Sequence, residues 1–196
     1  MKETLNGSAL DLLFKDARTS SAWHDKQVPE TLLREIWDLA KLGPTSANGS
    51  PARVVFVVSA EAKNKLVPCL IGSNVDKTMS ASATAIIGYD MAFYDKLPEL
   101  FPHMNARAWF FGNERLISDT AFRNGTPQGT YLMLAARALG LDCGPMSGFD
   151  YAAVDATFFS PTQVCSNFLC NLGYGTDEGV FPRIPCFTFD DACKAV

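Results

Sequence analysis

The chain has 196 residues, 47% hydrophobic and 19% charged, proportions that fit one globular domain with a sizeable core and exclude a disordered or fibrous chain. A net charge of −4 provides no bulk positive field for nucleic acid or an anionic membrane, although a local basic pocket for a small anion stays open. No run of about 18 apolar residues occurs. The stretch MKETLNGSALDLLFKD lacks the charged region and apolar run of an export signal, so the expected compartment is the cytoplasm. The cysteines Cys69, Cys143, Cys165, Cys170, Cys186 and Cys193 form no CxxC pair, and only His24 and His103 are available to complete a metal site. Buried, reduced thiols and no metal are the expectation.

Ser8 is placed to cap a first helix, SALDLLFKDA, in which Leu10, Leu13, Phe14 and Ala17 fall at helical spacing. The next helix, PETLLREIWDLAKLG, has Pro29 and Glu30 in its first turn. It carries Leu32, Leu33, Ile36, Leu39 and Ala40 on one face and ends at Gly43. The loop GPTSANGSP follows, then a strand over 53–59, a short helix around 61–70 and a strand over 84–90. That strand, TAIIGYD, is almost continuously apolar, as in a sheet covered on both faces. Residues 90–111 are rich in aromatic rings yet interrupted by Pro98 and Pro102; a lid or pocket wall and a helical hairpin packed on the core both fit. Helices are predicted near 113–123 and over 127–140, with Pro127 opening the second and Gly140 closing it. A strand over 167–175 ends the regular pattern. The order is α+β in a single domain, 1–196, without repeats, linkers or a composition shift.

The usual nucleotide and hydrolase signatures are missing. No Gly-x-Gly-x-x-Gly follows a strand, no GxxxxGK[ST] loop occurs, and no GxSxG elbow is present. The loop over 43–51 offers hydroxyls and backbone N–H groups without a titratable catalyst, which suits either an ordinary helix-to-strand connection or the close approach of something flat or anionic. Arg18 and Thr19 are placed to hold a phosphate or to face solvent. Asn74 and Lys77, three apart in GSNVDKTM, share one face of a helix or turn. In CGPMSGFD, Ser147 and Gly148 precede a helix starting near Asp150 and read as a capping turn, and Arg183 lies in a proline-flanked tail.

Taken in order, ARTSSAW, GPTSANGSPARVVFV, SNVDK, ALGLDCGPMSGFD and LGYG followed by PR resemble the FMN-dependent nitroreductase family over nearly the whole chain. The strings FYDKLPELFPH, ARAWF, TAFRN and RALGLDCGPMSGFD are similar to a branch of that family that reduces malonic semialdehyde in pyrimidine degradation. The resemblance implies a nitroreductase-like α+β fold: a helix-flanked mixed β-sheet in an intertwined homodimer, with FMN at the interface. It further implies that Arg18, Thr19 and Ser20 hold the FMN phosphate and ribityl chain, and that Arg183 closes on the same phosphate. Asn74 and Lys77 would meet the pyrimidine edge of the flavin, Ser147 and Gly148 would approach its N5, and Pro44, Thr45, Ser46 and Asn48 would lie against the ring, largely from the partner subunit. NADPH or NADH would deliver hydride to N5 and a second substrate would collect it in a ping-pong cycle. Arg107 is the candidate for a substrate carboxylate and His103 for a proton donor or second anchor. Many family members carry a basic residue where Ser21 stands here and a glutamate where Ser147 stands, so some flavin contacts differ.

Overall fold

The computed structural model describes residues 3–196. Its first helix, α1 (Gly7–Leu10), continues as a π-helical turn over Asp11–Lys15. The cap is Asn6, whose side-chain oxygen accepts from Ala9 N–H at 2.9 Å; Ser8 is instead inside the helix. α2 (Glu30–Ala40) follows the predicted span and turns Leu33, Ile36 and Ala40 inward. Next come β1 (Ala52–Val57), α3 (Ala60–Leu66), α4 (Val75–Ser80) and β2 (Ala83–Asp90). The short helices α5 (Leu97–Leu100) and α6 (Arg107–Phe110) lead into α7 (Glu114–Ala138), then β3 (Asp142–Met146), α8 (Tyr151–Val154), β4 (Val164–Gly173) and α9 (Phe189–Ala192).

The strands lie in the order β1-β2-β4-β3, and every neighbouring pair is antiparallel. The expected mixed character is confined to one parallel bridge, Thr19 to Cys143, through which the segment after α1 joins the β3 edge. Alternation along β2 distributes its side chains to two cores. Ala85 and Ile87 face α2 and α7 with Leu33, Ile36, Leu132 and Ala136. Ile86 faces the opposite side with Leu66, Val154 and Phe159. The sheet is therefore covered on both faces, as its apolar run predicts.

Two expectations are corrected here. The region 113–140 is one helix of 25 residues, with Pro127 inside it. Proline cannot donate to the carbonyl four residues back, but packing of α7 on α2 and across the sheet carries the helix through that break. β3 stands where the sequence reads as a capping turn, because DCGPM holds both glycine and proline and has no apolar run. The segment over 90–111 packs as a hairpin: Phe93, Leu97, Ala106 and Phe110 form a third cluster with Ile117 and Ala121 of α7. The expectation of buried thiols holds for Cys69, Cys143 and Cys170; Cys165 is half-buried, and Cys186 and Cys193 are exposed in the tail. Among the described residues, no helix is long and apolar enough to cross a membrane.

Candidate functional site

A cavity of about 410 Å³ opens between the segment after α1, the tail after β4 and the end of α7, a volume within the range of small-molecule sites. Among the described residues, Arg18, Lys77, Arg137 and Arg183 line it, and no carboxylate does. Such a wall attracts an anion and repels a cation. Thr19 and Ser20 line the same cavity.

The walls are tied together through the main chain. Ser20 N–H donates to the Cys143 carbonyl at 3.0 Å, and a Cβ at Gly144 would fall 2.5 Å from the Ser20 carbonyl oxygen, so the close approach of segment and strand requires glycine there. The two ends of the chain are strapped by crossed arginines. Arg18 donates to the Phe181 carbonyl, while Arg183 donates to the carbonyls of Lys15 and Ala17. Ser21 fastens the tail by donating to the Gly179 carbonyl at 2.8 Å.

Of Asn74 and Lys77, Lys77 of α4 lines the cavity and Asn74, at the start of the same helix, does not. Asn74 is the N-cap residue of α4 and is buried; its side-chain amide donates to the Gly148 carbonyl at 2.7 Å. The Lys77 carbonyl accepts from Trp23 Nε1 at 2.9 Å and from Asn171 Nδ2 at 3.1 Å. Asn171 is fully buried in β4, accepts from Thr84 Oγ1 at 2.7 Å, and donates also to Thr78 Oγ1 at 3.2 Å. At the far end of α4, Lys63 Nζ donates to the carbonyls of Met79 and Ala81, and its burial pulls its pKa down. Both ends and the middle of this short helix are thus pinned from the core, and Lys77 projects from a fixed backbone.

The loop carrying Pro44, Thr45, Ser46 and Asn48 does not reach this cavity within the chain. Ala47, Asn48 and Ser50 hold φ values of 51°, 52° and 40°, a left-handed region that non-glycine residues enter only when their surroundings impose it. Here α7 imposes it. Ser46 N–H donates to Asn124 Oδ1 at 2.8 Å, and Gln128 donates to Ser50 Oγ at 2.9 Å and accepts from Ala52 N–H at 2.9 Å. Arg137 lies nine residues beyond Gln128 on α7, about 14 Å along the axis. The loop and the cavity are therefore separate stations on one helix.

Arg107 and His103 also stand apart from the cavity. Arg107 pairs with Asp95 at 2.8 Å on the surface and lies over the rings of Tyr94 and Phe111; His103 is exposed against Phe101. Ser147 is exposed at the end of β3, and its carbonyl accepts from Tyr151 Oη at 3.4 Å. A larger cavity, about 640 Å³, lies between α2 and β1 and mixes Arg34 with Glu30 and Asp38; it collects none of the residues singled out from sequence. Arg137 lines the cavity, and Trp23 and Asn171 support it from behind through the Lys77 carbonyl; none of the three carries a motif in the sequence. Arg137 reads as an ordinary helix-end cation, and Asn171 is distinguished only by being a polar residue within an apolar strand.

The nitroreductase family model matches residues 15–174, and the chain belongs to that family. A Burkholderia lata protein provisionally named an NADH dehydrogenase/NAD(P)H nitroreductase is 61% identical over 191 residues, covering 97% of this chain and 98% of its own. The HadB protein of Ralstonia pickettii, provisionally named in the same way, is 57% identical over 188 residues, covering 94% of this chain and 96% of its own. Among solved structures, a nitroreductase, provisionally so named, from Exiguobacterium sibiricum in complex with FMN superposes with a TM-score of 0.86 at 21% identity, covering 100% of both chains.

Proposed function

We propose that the protein is an FMN-dependent NAD(P)H oxidoreductase of the nitroreductase type, working as a homodimer. One observation carries the reading: a cavity lined by four cations and no carboxylate, with the Asn74 to Gly148 hydrogen bond set between α4 and the end of β3. A ribityl phosphate fits the cationic wall, and the polar edge of a flavin ring fits the amide and ammonium of α4. Bound FMN supplies the exchange of hydride between a reduced nicotinamide and an acceptor.

The chain's own residues then have separate tasks. Arg18, Thr19, Ser20 and Arg183 hold the phosphate and the ribityl chain. Asn74 orients the polar edge, and the charge of Lys77 favours the negative charge that develops on reduction. Ser147 and Gly148 present backbone beside the reacting face, where bulk would exclude both substrates in turn. Relatives at 61% and 57% identity named for NAD(P)H support that reductant.

The homodimer is supported by apolar surface that a lone chain leaves in water. Leu42, Phe111, Phe181 and Phe187 are 72%, 72%, 77% and 84% exposed, and an interface with a second copy would take such side chains out of water. A second copy also accounts for the loop over 44–48, held ready in a strained shape yet remote from the cavity of its own chain.

A second reading concerns the acceptor. Arg107, flanked by Tyr94 and Phe111, is bound only by a surface ion pair to Asp95, and such pairs contribute at most about 1 kcal/mol. A small carboxylate can displace Asp95; since Arg107 is remote from the cavity of its own chain, this reading has it serve the partner's site, with malonic semialdehyde, reduced to 3-hydroxypropionate, as the physiological substrate. The test is anaerobic: NADPH should bleach the flavin of the FMN-loaded protein, and a nitrofuran and malonic semialdehyde should each restore it. Flavin that NADPH leaves oxidised would reduce the protein to a binding module. Arg107→Ala should raise KM for the semialdehyde far more than for the nitrofuran; equal effects would dismiss the carboxylate role.

A further inference from the structure

We propose that Arg137 is a phosphate-binding residue of the cavity and sets its selectivity for FMN over riboflavin. This rests on the reading of the cavity as the FMN site, and extends to a residue that reading leaves without a task.

Arg137 stands in the last turn of α7, half-buried, and lines the cavity with Arg18, Lys77 and Arg183. It reaches the site from a third segment, since Arg18 and Arg183 come from opposite ends of the chain. The three guanidiniums differ in what they already hold. Those of Arg18 and Arg183 are engaged with the carbonyls of Phe181, Lys15 and Ala17. That of Arg137 makes one long contact, 3.5 Å from Nη1 to the Leu13 carbonyl. Among the described residues it has no carboxylate partner within 4.0 Å.

A guanidinium offers five N–H donors in a planar fork, so Arg137, whose single contact is a long one, keeps nearly all of its capacity, whereas Arg18 and Arg183 each use donors to strap the two segments together. A phosphate monoester is its complement: three acceptor oxygens and close to two negative charges. Riboflavin has the same ring and sugar chain without that group. A cation committed to the phosphate therefore distinguishes the two flavins, while one that merely compensates the carbonyls ending α7 does not.

The experiment uses the full-length protein stripped of flavin, titrated by fluorescence with FMN and, separately, riboflavin. Arg137→Gln should raise the Kd for FMN about ten- to hundredfold, the range of a lost charge-assisted hydrogen bond. Its Kd for riboflavin should stay that of the parent, and Arg137→Lys should recover part of the loss while keeping the fold. Raising the salt should shrink the gap between parent and variant. Equal weakening for both flavins, or a lowered melting temperature with unchanged FMN affinity, would overturn the assignment and leave Arg137 a helix-end residue. A parent protein that binds neither flavin would overturn the cofactor reading itself, and this inference with it.

Discussion

The Asn74 amide donates to the Gly148 carbonyl over 2.7 Å, joining the start of α4 to the turn between β3 and α8. This bond sets the spacing between the cation on α4 and the exposed backbone beside it. A Cβ at Gly148 would fall 2.8 Å from Asn74 Nδ2, too close for the amide to stay. Gly148→Ala and Asn74→Ala should each lower FMN affinity, by roughly tenfold for a buried hydrogen bond, with an unchanged far-ultraviolet circular dichroism spectrum. The double variant should lose little more than either single one, because both act on one contact. Additive losses in a fluorescence titration would mean that the two residues act separately.

Asn171 carries the stability of the same region. Its replacement by leucine leaves Thr84 Oγ1 without its acceptor in the core and removes one donor from the Lys77 carbonyl. Asn171→Leu should cost about 2–4 kcal/mol in urea unfolding. A loss near zero would show that the network relaxes or is filled by water.

Lys63 is the counterpart at the other end of α4. Lys63→Met keeps the apolar stem but strips the carbonyls of Met79 and Ala81 of their donor, and unfolding should become easier by about 1–3 kcal/mol. A more stable variant would show that burying the charge costs more than the two bonds return.

Alkaline stability follows from the thiols. Hydrogen bonding with Cys143, together with burial, pushes the Cys170 thiol well above its ordinary value of 9.0. Burial raises Cys165 and Tyr89 as well. An acid raised by folding keeps its proton in the native state while the unfolded chain loses it, so its contribution is complete below pH 9.0 and declines above. Lys63 acts in the opposite sense: its lowered pKa makes stability rise with pH between that value and 10.5. Over this range Cys170 and Cys165 act against Lys63, with Tyr89 joining only near its ordinary value of 10.0, and Cys170, raised well above its own, predicts a net fall. Urea midpoints measured under reducing conditions should drop as pH climbs from about 8 to 10, and Cys170→Ala should flatten that slope. A slope unchanged by the substitution would remove Cys170 as its source.

Much of the architecture was legible because periodicity carries it. In α2, Leu33, Ile36 and Ala40 fall at helical spacing and turn to the core; the apolar run of β2 reports burial on both faces. What failed to read was set by distant packing. Pro127 resembles a helix start in isolation, and only contact with α2 and the sheet keeps α7 unbroken through it. The DCGPM stretch becomes β3 because β4 offers it a ladder from Asp142 to Met146. At the site, Arg18, Lys77 and Arg183 were found by resemblance and share one cavity. Arg137 has no local signal, since arginine in a last turn is ordinary helix chemistry. Arg107 has a signal of charge among rings, but its segment packs against the start of α7, away from the cavity.

That α7 bears both the dock for the strained loop and a cavity cation has a mechanical consequence. Asn124, Gln128 and Arg137 are phased against one another by helical pitch alone, about 100° and 1.5 Å per residue. Inserting a single alanine between Leu132 and Ala135 would swing Arg137 by that angle relative to the loop dock, although every named contact at either station would survive locally. The helix works as a ruler and a dial together, and its uninterrupted run past Pro127 keeps the two settings in agreement.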